Sequence, residues 1–135
     1  MTEALFGSYP LDNDLEMARL VSVGLPVAAV KKLGAALGMR PAKVGPLVNI
    51  NEKTLERRLQ SGARLKPAES ERVARLMRII ALATIVLESQ SNARDWLQRP
   101  LKVLAGKTPL ELTTTEPGAR EVEHALGRLE HGVFS

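Results

Sequence analysis

The chain has 135 residues, 44% of them hydrophobic, and a formal net charge of +4. That length holds one compact domain or two small helical modules, and that apolar content excludes a mainly disordered chain. There is no cysteine, which removes disulfides, thiolate metal sites and thiol nucleophiles, and only four aromatics (Phe6, Tyr9, Trp96, Phe134) are present, so the core must be aliphatic.

Residues 1–10 read as a loose leader. Asp12 or Asn13 can cap a first helix that runs to Val23 and stops at Gly24. Pro26 opens a second helix to Leu37, with Val27, Val30, Leu33 and Leu37 on one side, and Gly38 ends it. Pro41 suits the first turn of a short helix over 41–48, which turns Val44, Leu47 and Val48 inward. Asn49, Ile50 and Asn51 make a turn, with Asn51 the N-cap of a helix over 52–60 that Ser61 and Gly62 close. Pro67 starts a long helix to Leu87 whose apolar face carries Val73, Leu76, Met77, Ile80 and Leu87.

The run 79–87 is apolar on every side, so it must be covered by its own fold or by a partner chain. It is about half the roughly 20 residues a membrane span needs. With no basic segment leading an apolar stretch at the N-terminus, the chain reads as soluble and cytoplasmic, with no membrane partner. We assign Ile79, Leu82, Ile85 and Val86 to a homodimer face. Residues 89–92 are polar and mark a module boundary. Short helical pieces broken by Pro100, Gly106 and Pro109 follow, then a Thr-rich loop over 113–115 and a last helix from Pro117 to His131 with Val122, Leu126 and Leu129 on its core side.

The charge is uneven. Residues 1–30 carry four acids and one base, residues 31–80 twelve bases and four acids, and residues 81–135 six bases and seven acids. Such a cationic middle attracts polyanions. Helix 41–48, its three-residue turn and helix 52–60 have the dimensions of a helix-turn-helix, whose second helix enters the major groove. Lys53, Thr54, Arg57 and Arg58 would project together. Arginine can read guanine, Asn51, Lys53 and Thr54 can take phosphate, and Lys43, Arg64 and Lys66 can clamp flanking backbone. The same pattern also fits a plain helical hairpin whose charges only solubilise it.

Signals for catalysis are weak. His124 and His131 stand seven apart, whereas helical metal pairs prefer a spacing of four. Gly106, Lys107 and Thr108 lack the earlier glycine and buried strand of a phosphate loop. There is no nucleophile elbow, and Glu121 and Glu123 point to different helix faces. We therefore expect no catalytic residues, metal or cofactor.

The C-terminal third orders Trp96, Leu97, Pro100, Leu104, Gly106, Pro109 and Leu112, then Thr115, Gly118, Val122, Leu126, Arg128 and Gly132. This pattern resembles the toxin-binding domain of the Xre/MbcA/ParS antitoxins. Thr54, Leu55, Arg57, Arg58, Leu59 and Gly62 are similar to that family's Xre-type helix-turn-helix, and residues 67–72 to the start of its connecting helix. The chain departs from the pattern at Lys66, where Ser is common, at Leu101, where Asn is common, and at Ala105, where a second Gly is common.

The resemblance implies an all-α protein, a helix-turn-helix bundle followed by a small helical toxin-binding domain. Its parts would be an N-terminal leader and helix (1–24), the DNA-binding domain with its connecting helix (25–88) and the toxin-binding domain (89–135). It further implies an antitoxin without enzymatic activity, whose C-terminal end covers the active site of a RES-domain, NAD-depleting toxin and whose helix-turn-helix binds its own promoter DNA as a repressor. The toxin contacts would be Arg128, His131, Gly132, Val133, Phe134 and Ser135. A physical reading of the tail agrees: burying Phe134 in a partner contributes about 2–3 kcal/mol. Val133 and Phe134 folding back on their own core is the alternative at that point. A stand-alone regulator, using its last third for dimerisation or another ligand, is the rival function.

Overall fold

A computed structural model describes residues 5–7 and 9–132. Among them are eight α-helices joined by short turns, with no strand beyond one isolated bridge. Helix α1 (Asp14–Val23) starts where the Asn13 side chain accepts the Glu16 amide at 3.0 Å. It ends at Gly24, whose φ of +103° and close approach to the Leu65 carbonyl leave no room for a side chain.

Helix α2 spans Ala28–Leu37 rather than beginning at Pro26. The reason is the antiparallel bridge between Pro26 and Arg64. There the Leu65 amide donates to the Leu25 carbonyl (2.8 Å) and the Val27 amide to the Ala63 carbonyl (3.3 Å), holding Pro26 extended. Val27, Val30, Leu33 and Leu37 are all buried, as their spacing requires.

The short helix is an α-turn, α3 (Pro41–Val44), continued by a 3-10 turn (Gly45–Val48). Val44 and Val48 are buried and Leu47 half-buried. Asn49 takes the left-handed conformation, and the Asn51 side chain accepts the Lys53 and Thr54 amides at 2.8 and 3.3 Å, opening α4 (Glu52–Ser61). Helix α5 (Pro67–Leu87) begins with Lys66 at the N-cap. Its amide is held by the Glu69 carboxylate at 2.9 Å.

Beyond α5, Glu88 makes a left-handed stop, and the Ser89 hydroxyl accepts the Asn92 amide at 2.9 Å to cap α6 (Gln90–Leu97). A 3-10 turn (Lys102–Leu104), α7 (Pro109–Leu112) and α8 (Glu116–Gly127) follow. The chain then widens into a π-helical turn over Arg128–Gly132, so the last regular helix is shorter than its periodicity predicts.

One aliphatic core runs from Phe6 through Leu33, Ile80 and Leu97 to Leu126. Phe6 is fully buried, so that part of the leader is core rather than loose. Full burial of such a ring contributes about 1.5–3 kcal/mol. Helix α5 lies at the centre and packs against α1, α2, α6 and α8. Ile79 is also fully buried by the chain's own helices and cannot belong to an outer face. Leu82 and Val86 are half-buried, and Ile85 is 52% exposed.

Polar ties cross the core. Arg75, 5% exposed, donates from Nε to the Thr113 carbonyl (3.0 Å), from Nη2 to the Thr114 carbonyl (3.0 Å) and from Nη1 to both Glu71 oxygens (2.9 and 2.7 Å). A buried guanidinium is stable only when its donors are satisfied in this way. At the other edge of α6, Arg94 Nε donates to the Ala36 carbonyl (3.3 Å) and Gln98 Nε2 to the Leu37 carbonyl (3.1 Å). Both cover carbonyls that the end of α2 leaves unpaired.

Candidate nucleic-acid interface and C-terminal module

The two helices read as a helix-turn-helix are joined by residues 49–51, with the Gly45 carbonyl accepting the Ile50 amide at 2.9 Å. Buried Leu55 and half-buried Leu59 seat α4 on the fold. Glu52 and Glu56 line the small cleft between α3 and α4. Lys53 and Arg57, four residues apart, are exposed, and neither side chain has a hydrogen-bond or ion-pair partner among the described residues. Lys43 at the end of α3 is also exposed and unpaired there. Thr54 is half-buried.

Three of the side chains assigned to DNA have other work. Arg58 is mostly buried in an ion pair with Glu69, with the two side chains 12% and 13% exposed. It fastens α4 to the first turn of α5 and is not presented beside Arg57. Arg64 donates from Nη1 to the Gly24 carbonyl at 2.7 Å, and the Asn51 side chain is occupied by its own cap. Lys66 stands exposed at the start of α5. Sequence spacing missed the two arginine ties because their partners lie 11 and 40 residues away.

The cationic middle is thus partly consumed by the fold. Arg75 is buried, and Arg78 pairs with Glu123 at 3.1 Å and Glu116 at 3.6 Å. What remains for a polyanion on the two helices and their flanks is Arg40, Lys43, Lys53, Arg57 and Lys66.

In the C-terminal module, Trp96 is half-buried and packs against the core. Gly118, in the first turn of α8, is pressed against the end of α7, where a Cβ would stand 1.9 Å from the Leu112 carbonyl oxygen. The Thr108 amide donates to Glu111 Oε1 at 2.8 Å and the Glu111 amide to the Thr108 hydroxyl at 3.1 Å. Hydrogen bonding from Thr108, its backbone amide first, holds the Glu111 carboxyl below its ordinary range.

Ala105 takes a left-handed conformation, φ +58°, where glycine is favoured. Of the assigned toxin contacts, Arg128 and His131 are exposed and Gly132 closes the π-helical turn. Val133, Phe134 and Ser135 lie outside the described residues. His124 and His131 are exposed beside Glu121 (3.5 Å) and Glu130 (3.1 Å). Among the described residues, no group of three or more His, Asp or Glu side chains could hold a metal ion, and no helix is long and apolar enough to cross a membrane.

Residues 16–78 match the antitoxin Xre-like helix-turn-helix domain, and residues 82–132 match the antitoxin Xre/MbcA/ParS C-terminal toxin-binding domain. An Antitoxin Xre of Yersinia enterocolitica is 34% identical over 127 residues, covering 93% of this chain and 86% of that protein. The chain belongs to the Xre/MbcA/ParS antitoxin family. Another Antitoxin Xre, from Photorhabdus laumondii, is 27% identical over 94% of this chain and 86% of its own length. A Sphingobium protein named Prs ADP-ribosylating antitoxin is 23% identical over 98% of this chain and 87% of its own. The family's helix-turn-helix match ends within α5 and its toxin-binding match begins there, so in this Xre-family chain the central helix serves both.

Proposed function

We propose that this chain neutralises a RES-domain toxin that depletes NAD, by placing its C-terminal segment in the toxin's active-site entrance, and that it represses its own promoter through α3 and α4. The observation carrying the reading is the pairing of a family toxin-binding match that reaches residue 132 with an exposed, unpaired Lys53 and Arg57 on α4. The Sphingobium relative's name supports the chemistry, since ADP-ribosyl transfer consumes NAD. The contacts to the toxin are Arg128 and His131, with Gly132, Val133, Phe134 and Ser135 beyond them. The protein acts in the cytoplasm as a homodimer with no cofactor or catalysis of its own. Its organisation is a leader with α1 (1–24), a DNA-binding part (25–88) and a toxin-binding part (89–135).

Two-fold symmetry would match a palindromic operator with half-sites about one helical turn or a multiple apart. Of the four α5 residues assigned to the dimer face, Leu82, Ile85 and Val86 have surface to offer. The test is co-expression with the adjacent gene. The full chain should co-purify with its product and restore cellular NAD. A chain lacking residues 133–135 should lose that protection while still retarding the upstream DNA. Full protection by the truncated chain would refute the blocking role, and failure of the full chain to retard the upstream DNA would refute the repressor role.

A further inference from the structure

An exposed arginine without a partner in its own fold is open to an outside anion. Among the described residues, Arg40, Arg57, Arg72, Arg99 and Arg128 have no side-chain hydrogen bond or ion pair. Arg57 belongs to α4 and Arg128 to the terminal turn. Arg99 follows α6, in the half of the chain matched to toxin binding, and is not among the assigned toxin contacts. It lines a shallow depression of about 550 Å³ with Leu37, Gly38, Arg94, Asp95 and Gln98. The floor of that depression is the end of α2, where Arg94 and Gln98 hold the Ala36 and Leu37 carbonyls.

Arg40 lies two residues beyond Gly38, within about 7 Å of backbone, and occupies the N-cap position of α3. In a helix-turn-helix the first helix crosses the phosphate backbone while the second enters the groove. The start of α3, with Arg40 and then Lys43, is therefore the part of this motif that runs along phosphates. Arg94 and Arg99 line the depression together with Gly38, two residues before Arg40. Asp95 is the one carboxylate lining the depression, and it forms no ion pair with Arg94 or Arg99 among the described residues. Arg94 is already fixed by the Ala36 carbonyl, so little conformational freedom is lost when it meets an anion.

We propose that the α6 end of the C-terminal module, through Arg99 and Arg94 beside Arg40, forms a second phosphate grip on the duplex flanking the site read by α4. The inference rests on the DNA-binding reading above and adds a grip from the half of the chain matched to toxin binding. Phosphate contacts position a protein without reading sequence.

The test is fluorescence anisotropy of the full chain with two duplexes, one covering the upstream region and one of unrelated sequence, over a salt series. Arg99→Ala should weaken both duplexes by the same factor and make the plot of log K against log salt shallower by about 0.9 for each phosphate left unneutralised. Arg99→Lys should restore most of the slope, and the melting temperature should stay that of the wild type, because the side chain is exposed and unbonded. Arg57→Ala serves as the reference and should instead narrow the preference for the upstream duplex over the unrelated one. Unchanged affinity and slope in Arg99→Ala, with Arg57→Ala still impaired, would overturn the second grip and leave the helix-turn-helix reading standing. Loss of toxin co-purification in Arg99→Ala with normal DNA binding would also overturn it, assigning the patch to the toxin. No effect of either substitution, or no binding by the wild type, would end both readings together.

Discussion

Replacing Arg58 by alanine removes one half of its ion pair with Glu69, in which the two side chains are 12% and 13% exposed. Breaking a buried pair from one side costs about 3–5 kcal/mol, because the remaining charge is stranded. Here Glu69 keeps the Lys66 amide at 2.9 Å, which offsets part of that loss. We expect about 3 kcal/mol, a large fraction of the roughly 5–15 kcal/mol that holds a domain together. Arg57→Ala removes an exposed, unbonded side chain and should change stability by no more than about 0.5 kcal/mol, while costing about 1–3 kcal/mol in DNA affinity if it reads a base. Urea unfolding and DNA titration on both variants separate the roles. Glu69→Gln alone should destabilise in the same direction as Arg58→Ala, and the double variant should lose less than the two single losses combined. A wild-type urea midpoint for Arg58→Ala, with DNA affinity reduced as in Arg57→Ala, would refute the reasoning and return Arg58 to the reading face.

Three further outcomes are expected. Ala105→Gly relieves a left-handed residue worth about 1–2 kcal/mol and costs about 0.4–1 kcal/mol in unfolded-state freedom; calorimetry should show a melting temperature raised by about 2–5 °C, and a fall would contradict the turn geometry. Gly118→Ala drives a methyl into the backbone carbonyl of Leu112, which no rotamer can relieve, so its urea midpoint should fall by the equivalent of about 3 kcal/mol or more. Because Glu111 has a lowered folded pKa, its ionised form stabilises the fold above the ordinary carboxylate range, and that contribution is lost as pH falls through the lowered value; the stability advantage of the wild type over Glu111→Gln should therefore be present at neutral pH and vanish in acid.

The helices were legible because their ends carry local chemistry. Asn13 and Asn51 cap through bonds two or three residues long, and Gly24, Gly38 and Gly62 stop helices at their own positions. The spacing of Val30, Leu33 and Leu37 marked the buried face of α2. What escaped was long-range: the partners of Arg58, Arg64 and Arg75, and the burial of Phe6 and Ile79, depend on which helices meet, a property no short window contains. Residues 89–92, read as a module boundary, also carry helix-cap chemistry: Ser89 caps α6 and Asn92 donates to the Leu87 carbonyl at 3.1 Å. A serine three residues before an amide it can cap was the available signal.

Phe6, Ile80 and Leu126 share one interior, and Arg75 and Arg94 stitch across it, so the described residues form one core and are expected to unfold as one unit. Occupancy of the far end then protects the whole: a partner present at a hundred times its Kd adds about 2.7 kcal/mol against global unfolding. Cellular proteases, which act on the opened state, would spare the chain while its partner is abundant and clear both ends at once when it is not. On the proposed reading, the lifetime of the promoter-bound protein becomes a gauge of the enzyme it restrains.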